Sequence, residues 1–203
     1  MEDVLDLYAK PYDPNEPVLC FDEKSKQLLK DIRTRIPCKE GISAKRDYEY
    51  KRNGTKNIFI AVEPKGGYRE ATVTARRTTQ DFAHEIERIV MLPRYLSAAK
   101  IHFVLDNLNT HFEPSLIKTF GQERAKELLG RIAFHHTPKH ASWLNMAEIE
   151  LSILSRQALG GRIPHAQVLT ERIARWQETR NRMGAGIQWK FTKEDARKIF
   201  KYG

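Results

Sequence analysis

Cysteine is nearly missing from this 203-residue chain. There are two, Cys20 and Cys38, and neither has a CxxC partner, so two buried thiols are expected rather than a disulfide or a cysteine zinc site. No apolar run approaches the roughly 18 residues that a membrane-spanning helix needs. The N-terminal stretch MEDVLDLYAK is acidic and lacks the basic-then-apolar order of a signal peptide. Cytoplasmic placement is the resulting expectation. Internal repeats and low-complexity segments are also missing. The 40% apolar composition is that of a globular protein. The length suits one sizeable core, or one domain with an appendage.

Negative charge is in deficit. Lys and Arg number 35 against 26 Asp and Glu, a formal charge of +9, with a pI near 9.6. Nucleic acid is the polyanion such a surface would attract, because basic groups that contact phosphates release counterions. The alternative is a basic surface that binds nothing.

Residues 1–16 read as a short acidic helix and a turn. PVLCFDEK follows as a buried strand with Asp22 and Glu23 at its C-terminal end. Residues 24–56 are polar, basic and poorly periodic, and KRDYEYKRNGTKN reads as an exposed basic strand or loop. NIFIAVEPKGGYREATVTARR predicts a hairpin around Lys-Gly-Gly. TTQDFAHEIERIVMLPRY predicts a Thr-capped helix stopped at Pro93. KIHFVLDNLNTH is a second strand, ending in Asp106. PSLIKTFGQERAKELLG reads as a helix capped by Gly130, and RIAFHHTP as a third short strand. Helices follow over 145–159 and over AQVLTERIARWQETRNRM, where Leu169, Ile173 and Trp176 share a stripe. Thr192 and Asp195 form a capping-box pattern for a last helix. This order of strand, hairpin, helix, strand, helix, strand and helices predicts an α/β protein with a mixed sheet.

Two strand-end aspartates then become the centre of interest. Ligands of open α/β sheets gather outside strand C-termini. If the strands of Asp22 and Asp106 are neighbours, their carboxylates converge, and converging carboxylates favour a divalent cation or a raised pKa. Hard oxygen donors without nearby cysteines point to Mg²⁺ or Mn²⁺. A third carboxylate would complete a two-metal site suited to phosphodiester chemistry. The alternative is that each Asp only caps a turn. Glu148 and Glu150 are both available on a helix with apolar positions Met146, Ile149, Ile153 and Leu154. Two residues apart, they point about 200° from one another, so at most one faces the site, and periodicity leaves the choice open.

FDEK, LDNLNTH, HHTPKHASWLNMAEIELSIL and the ending RWQETRNRMGAGIQWKFTKEDAR together resemble the catalytic domain of DDE transposases of the mariner-like superfamily. The nearest branch is the bacterial insertion-sequence six-thirty family, and the resemblance spans essentially the whole chain. It implies an RNase H-like fold, a mixed sheet flanked by helices, with a linker at 1–16, a catalytic core over 17–160 and a helical extension over 161–203. It also implies a triad of Asp22, Asp106 and Glu148 holding two Mg²⁺ (or Mn²⁺) ions, and so selects Glu148 over Glu150. Glu23 becomes a neighbour on the opposite side of its strand. The interval between Asp106 and Glu148 is longer than the family's usual one, an excess assigned to residues 119–131.

The implied reactions are DNA cleavage at element ends and strand transfer into target DNA, in the bacterial cytoplasm near the nucleoid and by a homodimer on DNA. Lys45, Arg46, Lys51, Arg52, Lys56, Arg76 and Arg77 are expected to follow the DNA backbone, with Lys139 and His140 before the catalytic helix; the alternative is a solvated basic face. His111 contacts DNA, orients the site or is a plain loop residue. His135 and His136 point to opposite faces of a strand and so do not share one metal. Asn107 and Asn145 are expected to support the acids, and Trp143 and Leu144 to anchor the helix to the core, the alternative being that they stack on bases. Mariner-like transposases carry helix-turn-helix domains ahead of the catalytic domain. Met1 stands 21 residues before Asp22, so a truncated or split frame, or an internally assigned start, is expected, with the helix-turn-helix half separately encoded. The competing readings are an inactive remnant that only binds DNA or dimerises, and a host nuclease or resolvase. The ASWLN motif and the C-terminal ending argue against the last.

Overall fold

The structure, a computed structural model, describes residues 1–34, 36–107 and 112–201. Strands β1 (Val18–Asp31), β2 (Tyr50–Glu63), β3 (Tyr68–Thr74), β4 (Ile101–Leu105) and β5 (Ile132–His136) form one sheet in the order β3-β2-β1-β4-β5. β1–β2 and β2–β3 are antiparallel, while β1–β4 and β4–β5 are parallel. This is the mixed sheet predicted from the order of elements.

Alternation along the central strands divides the core into two layers. Leu19, Phe21, Phe59, Phe103 and Leu105 face α2 (Thr79–Val90) and α3 (Glu113–Arg131), against Phe82, Ile86, Ile89, Leu116 and Leu128. Cys20, Ile58, Ile60, Val62 and Val104 face the other way. They meet α1 (Glu2–Ala9), α4 (Ala147–Gln157), α5 (Ala166–Arg182) and α6 (Lys193–Phe200) through Leu5, Leu144, Leu154, Leu169, Ile173 and Ala196. Each fully buried Leu, Ile or Phe contributes about 1.5–3 kcal/mol. Phe21 is the hub of the first layer, with its ring centroid 5.7 Å from Phe59 and from Phe82 and 6.5 Å from Phe103.

Local chemistry sets several boundaries. Thr78 caps α2 in a full capping box with Asp81, and Thr192 does the same for α6 with Asp195; such caps contribute about 1 kcal/mol each. The Lys-Gly-Gly hairpin turn needs glycine at 67, where φ is +64° and a Cβ would stand 2.5 Å from the Gly184 carbonyl oxygen.

Four expectations need correcting. β1 does not end at Asp22, which is the fifth of its 14 residues. The apolar run stops near Phe21 because the parallel neighbour β4 pairs only with Val18–Cys20, whereas β2 pairs along β1 as far as Asp31. Residues 25–31 and 50–56 are therefore a mostly polar two-stranded ribbon held by backbone bonds, with buried Leu28 tying it to the core. Gly130 lies inside α3, and the non-helical glycine of that helix is Gly121, at φ +79°. Cys20 is buried but Cys38 is exposed, because it falls in the segment between the ribbon strands. Ile149 is 40% exposed although it was counted among the apolar positions of α4. No described helix is long and apolar enough to cross a membrane.

Candidate active site

Asp22 continues the face of β1 that Cys20 occupies, because side chains two apart on a strand share a face. That face looks toward α4. Asp106 follows Leu105 at the end of β4, the parallel neighbour of β1. Glu148 lies exposed in the first turn of α4, and a shallow groove runs between Asp22 and Glu148. Burial pushes the Asp22 carboxyl up to about 7, against the pull of the Glu23 amide, which donates to its Oδ1 at 2.7 Å. The negative charges of Asp106, Glu23 and Glu148 raise it further. The three acids chosen from the sequence thus lie within one another's field.

Asn145 joins the two sides of this site. It is fully buried. Its Nδ2 donates to the carbonyl oxygen of Phe21 at 2.9 Å, and its Oδ1 accepts from the Ala147 amide at 3.1 Å. One side chain therefore pins the start of α4 to the residue before Asp22. Its own carbonyl accepts from the Glu148 amide at 3.1 Å.

Glu150 belongs elsewhere. It is 0% exposed and held by Arg69 of β3 (Nε to Oε1 2.7 Å) and Arg180 of α5 (Nε to Oε1 2.8 Å). Burial alone would raise its pKa, but the hydrogen bonds and charges of the two arginines outweigh that and hold it below the ordinary value. Arg69 is itself fully buried. Neither arginine carries a sequence signal for this role, since each is a lone basic residue far along the chain from Glu150.

The remaining candidates scatter. Arg46 is tied to Asp31 (Nη2 to Oδ1 2.8 Å), which also holds Arg162 at 2.8 Å. Lys45 bridges to Ile36 through the backbone. Lys51 and Arg52 are exposed on the ribbon, and Lys56 is half-buried nearer the core. Arg76 and Arg77 are exposed after β3, with Arg77 Nη1 3.4 Å from Glu23 Oε1. Lys139 and His140 are exposed in the segment entering α4, and Asn107 is exposed beside Asp106. His111 lies outside the described residues.

His135 Nδ1 donates to the Asp3 carboxylate of α1 at 2.8 Å, its Nε2 shares a hydrogen bond with His102 Nδ1 at 2.9 Å, and His136 stacks on Phe112 with ring centroids 4.7 Å apart. Leu144 is buried in the core. Trp143 instead is 41% exposed and packs against Trp189, Phe191 and Phe200, so it anchors the C-terminal segment rather than the sheet.

The acid site suits a hard divalent cation by donor type, since its donors are carboxylate oxygens. A buried carboxyl among like charges also gains most from a cation. Among the described residues no three His, Cys, Asp or Glu side chains already converge to ligand spacing.

A family model described as DDE superfamily endonuclease matches residues 17–169, a span that contains all three acids. No curated protein matches the chain. Among solved structures, the chain resembles the Mos1 mariner paired end complex with Mn at 16% identity and a TM-score of 0.57, covering 88% of this chain and 52% of that one. A pre-cleavage Mos1 transpososome matches at 14% identity and a TM-score of 0.53, covering 91% and 59%. The Mos1 strand transfer complex matches at 14% and 0.52, covering 90% and 57%. Likeness at such identities is one of fold, and the sheet with helices on both faces is RNase H-like. The chain spans little more than half the length of the solved chains it matches.

Proposed function

The chain belongs to the DDE superfamily endonucleases, and from that membership we propose that it is the catalytic domain of a mariner-like transposase, of the insertion-sequence six-thirty branch, that cleaves DNA at element ends and transfers strands into target DNA. The observation that supports this reading is geometric: Asp22 lies on β1, Asp106 directly follows the parallel neighbour β4, and Glu148 in the first turn of α4 lines one groove with Asp22. Asp22 and Asp106 sit on adjacent parallel strands and form the rigid half of the site. Glu148 completes it from α4, at a place set by Asn145. Mg²⁺ or Mn²⁺, when bound by these oxygens, supplies activation of a water or 3′-hydroxyl nucleophile and stabilisation of the leaving oxygen. The charge of +9 supports DNA as the partner, and joining two element ends calls for two copies of the chain.

Nicking of supercoiled plasmid by the full chain in MgCl₂ or MnCl₂ tests this. Asp106→Asn is expected to abolish nicking with the melting temperature unchanged. Equal product from wild type and Asp106→Asn overturns the nuclease reading and leaves a DNA-binding or dimerising remnant.

A further inference from the structure

Most arginines near the core of this protein are spoken for: Arg69, Arg88, Arg94, Arg162 and Arg180 all have carboxylate partners within 3 Å. The groove between Asp22 and Glu148 is different. It is also lined by Lys24, Ser152 and Arg156, and none of these three has an ion pair or side-chain hydrogen bond among the described residues.

Their placement follows from two periodicities. Lys24 is two residues beyond Asp22 on β1 and so shares its face. Ser152 and Arg156 follow Glu148 by four and eight residues on α4, which keeps all three on one helical stripe. Arg156 stands two turns, about 12 Å, along the axis from Glu148. That is a few phosphates along one DNA strand, given about 3.4 Å of rise per phosphate. Just beyond, burial first and the charges of Lys24 and Arg172 second hold the Lys26 ammonium below its ordinary pKa. A groove lined both by acids and by donors that have no partner among the described residues suits a strand whose reacting phosphate sits at the acids and whose neighbouring phosphates need a seat.

We propose that Lys24, Ser152 and Arg156 seat the backbone phosphates of the DNA strand that enters the acid site, contacts that position the strand without reading its sequence. This rests on the proposed nuclease reading for the identity of the strand. None of the three is among the residues that the sequence alone assigns to the DNA backbone.

The test is fluorescence anisotropy of the full chain with labelled duplex DNA, without divalent ions, over a series of salt concentrations. Lys24→Ala and Arg156→Ala are each expected to lower the salt slope of log K by about 0.9, equally on unrelated sequences. Arg156→Lys is expected to restore the slope, and Lys126→Ala on α3 to leave it alone. Melting curves confirm that each variant is folded. If wild type binds DNA and neither alanine variant moves the slope beyond Lys126→Ala, the phosphate seat is overturned while the nuclease reading stands. If the slopes shift as expected but plasmid nicking fails, the seat stands and the nuclease reading falls. If wild type binds no DNA at any salt, both fall.

Discussion

Glu148 and Glu150 stand two residues apart on one helix, and one is exposed on the acid groove while the other is fully buried between Arg69 and Arg180. The same residue type serves two ends. Replacing them must therefore give opposite phenotypes. Glu148→Ala is expected to abolish nicking while changing stability by less than about 0.5 kcal/mol. Glu150→Ala leaves two arginine charges without their partner and is expected to cost about 3–5 kcal/mol. At about 2–4 °C per kcal/mol for a chain of this size, the melting temperature falls by roughly 6–20 °C. Melting curves beside nicking assays check both, and an inactive Glu150→Ala that melts like wild type contradicts this division.

Asn145→Ala removes the link between the Phe21 carbonyl and the first turn of α4. It strands buried polar groups at about 1–3 kcal/mol. Nicking is expected to drop as well, because Glu148 loses its tether to the strand of Asp22. Denaturant unfolding gives the first quantity. Single-turnover rates at a temperature well below melting give the second, and a destabilised variant with an unchanged rate would make Asn145 purely structural.

Divalent ions are expected to stabilise the folded chain, since a ligand that binds only the folded state adds RT ln(1 + [L]/Kd). MnCl₂ should raise the melting temperature of wild type and not that of Asp22→Asn. Calcium chloride at the same ionic strength separates ion binding from catalysis. An identical rise in both proteins would place the ion away from Asp22.

Acid should loosen α6 from α1 before the sheet yields. Arg197 donates to Glu2 (2.7 and 2.8 Å), and Lys193 to Asp6 (2.6 Å). The Arg197 hydrogen bond holds Glu2 below its ordinary 4.5, and the Thr192 backbone holds Asp195 below 3.8. Both folded values are depressed, so this stabilisation is present above the ordinary carboxylate values and is lost as pH falls through the folded ones. Amide exchange in 193–200 is expected to accelerate below about pH 4, relative to base-corrected rates, while β2 amides stay protected. High salt should weaken the contact too, because the pairs are exposed.

Much of the fold is legible in the chain because its signals are local. Short β-rich apolar runs mark β2 and β4, Thr-x-x-Asp marks the starts of α2 and α6, and the hairpin turn needs its glycine. Where β1 ends is not legible, because the last nine residues of that strand are held by backbone pairing with β2 and, Leu28 apart, bury little. Cys38 misled for the same reason: cysteine is usually buried, but this one falls in the polar segment between the ribbon strands.

The sequence by itself determined the kind of chemistry: two aspartates after apolar runs, a helix offering a third carboxylate, and motifs that name a family. Periodicity could not separate Glu148 from Glu150, and only the tertiary structure shows why. A buried glutamate breaks the apolar stripe, and Ile149 beside it is exposed. What makes Glu150 affordable inside is a pair of arginines at 69 and 180, brought in from a hairpin strand and a late helix. A charge can be buried only where opposite charge meets it. That meeting is a property of the packed chain, and it leaves Glu148 as the acid free to face Asp22.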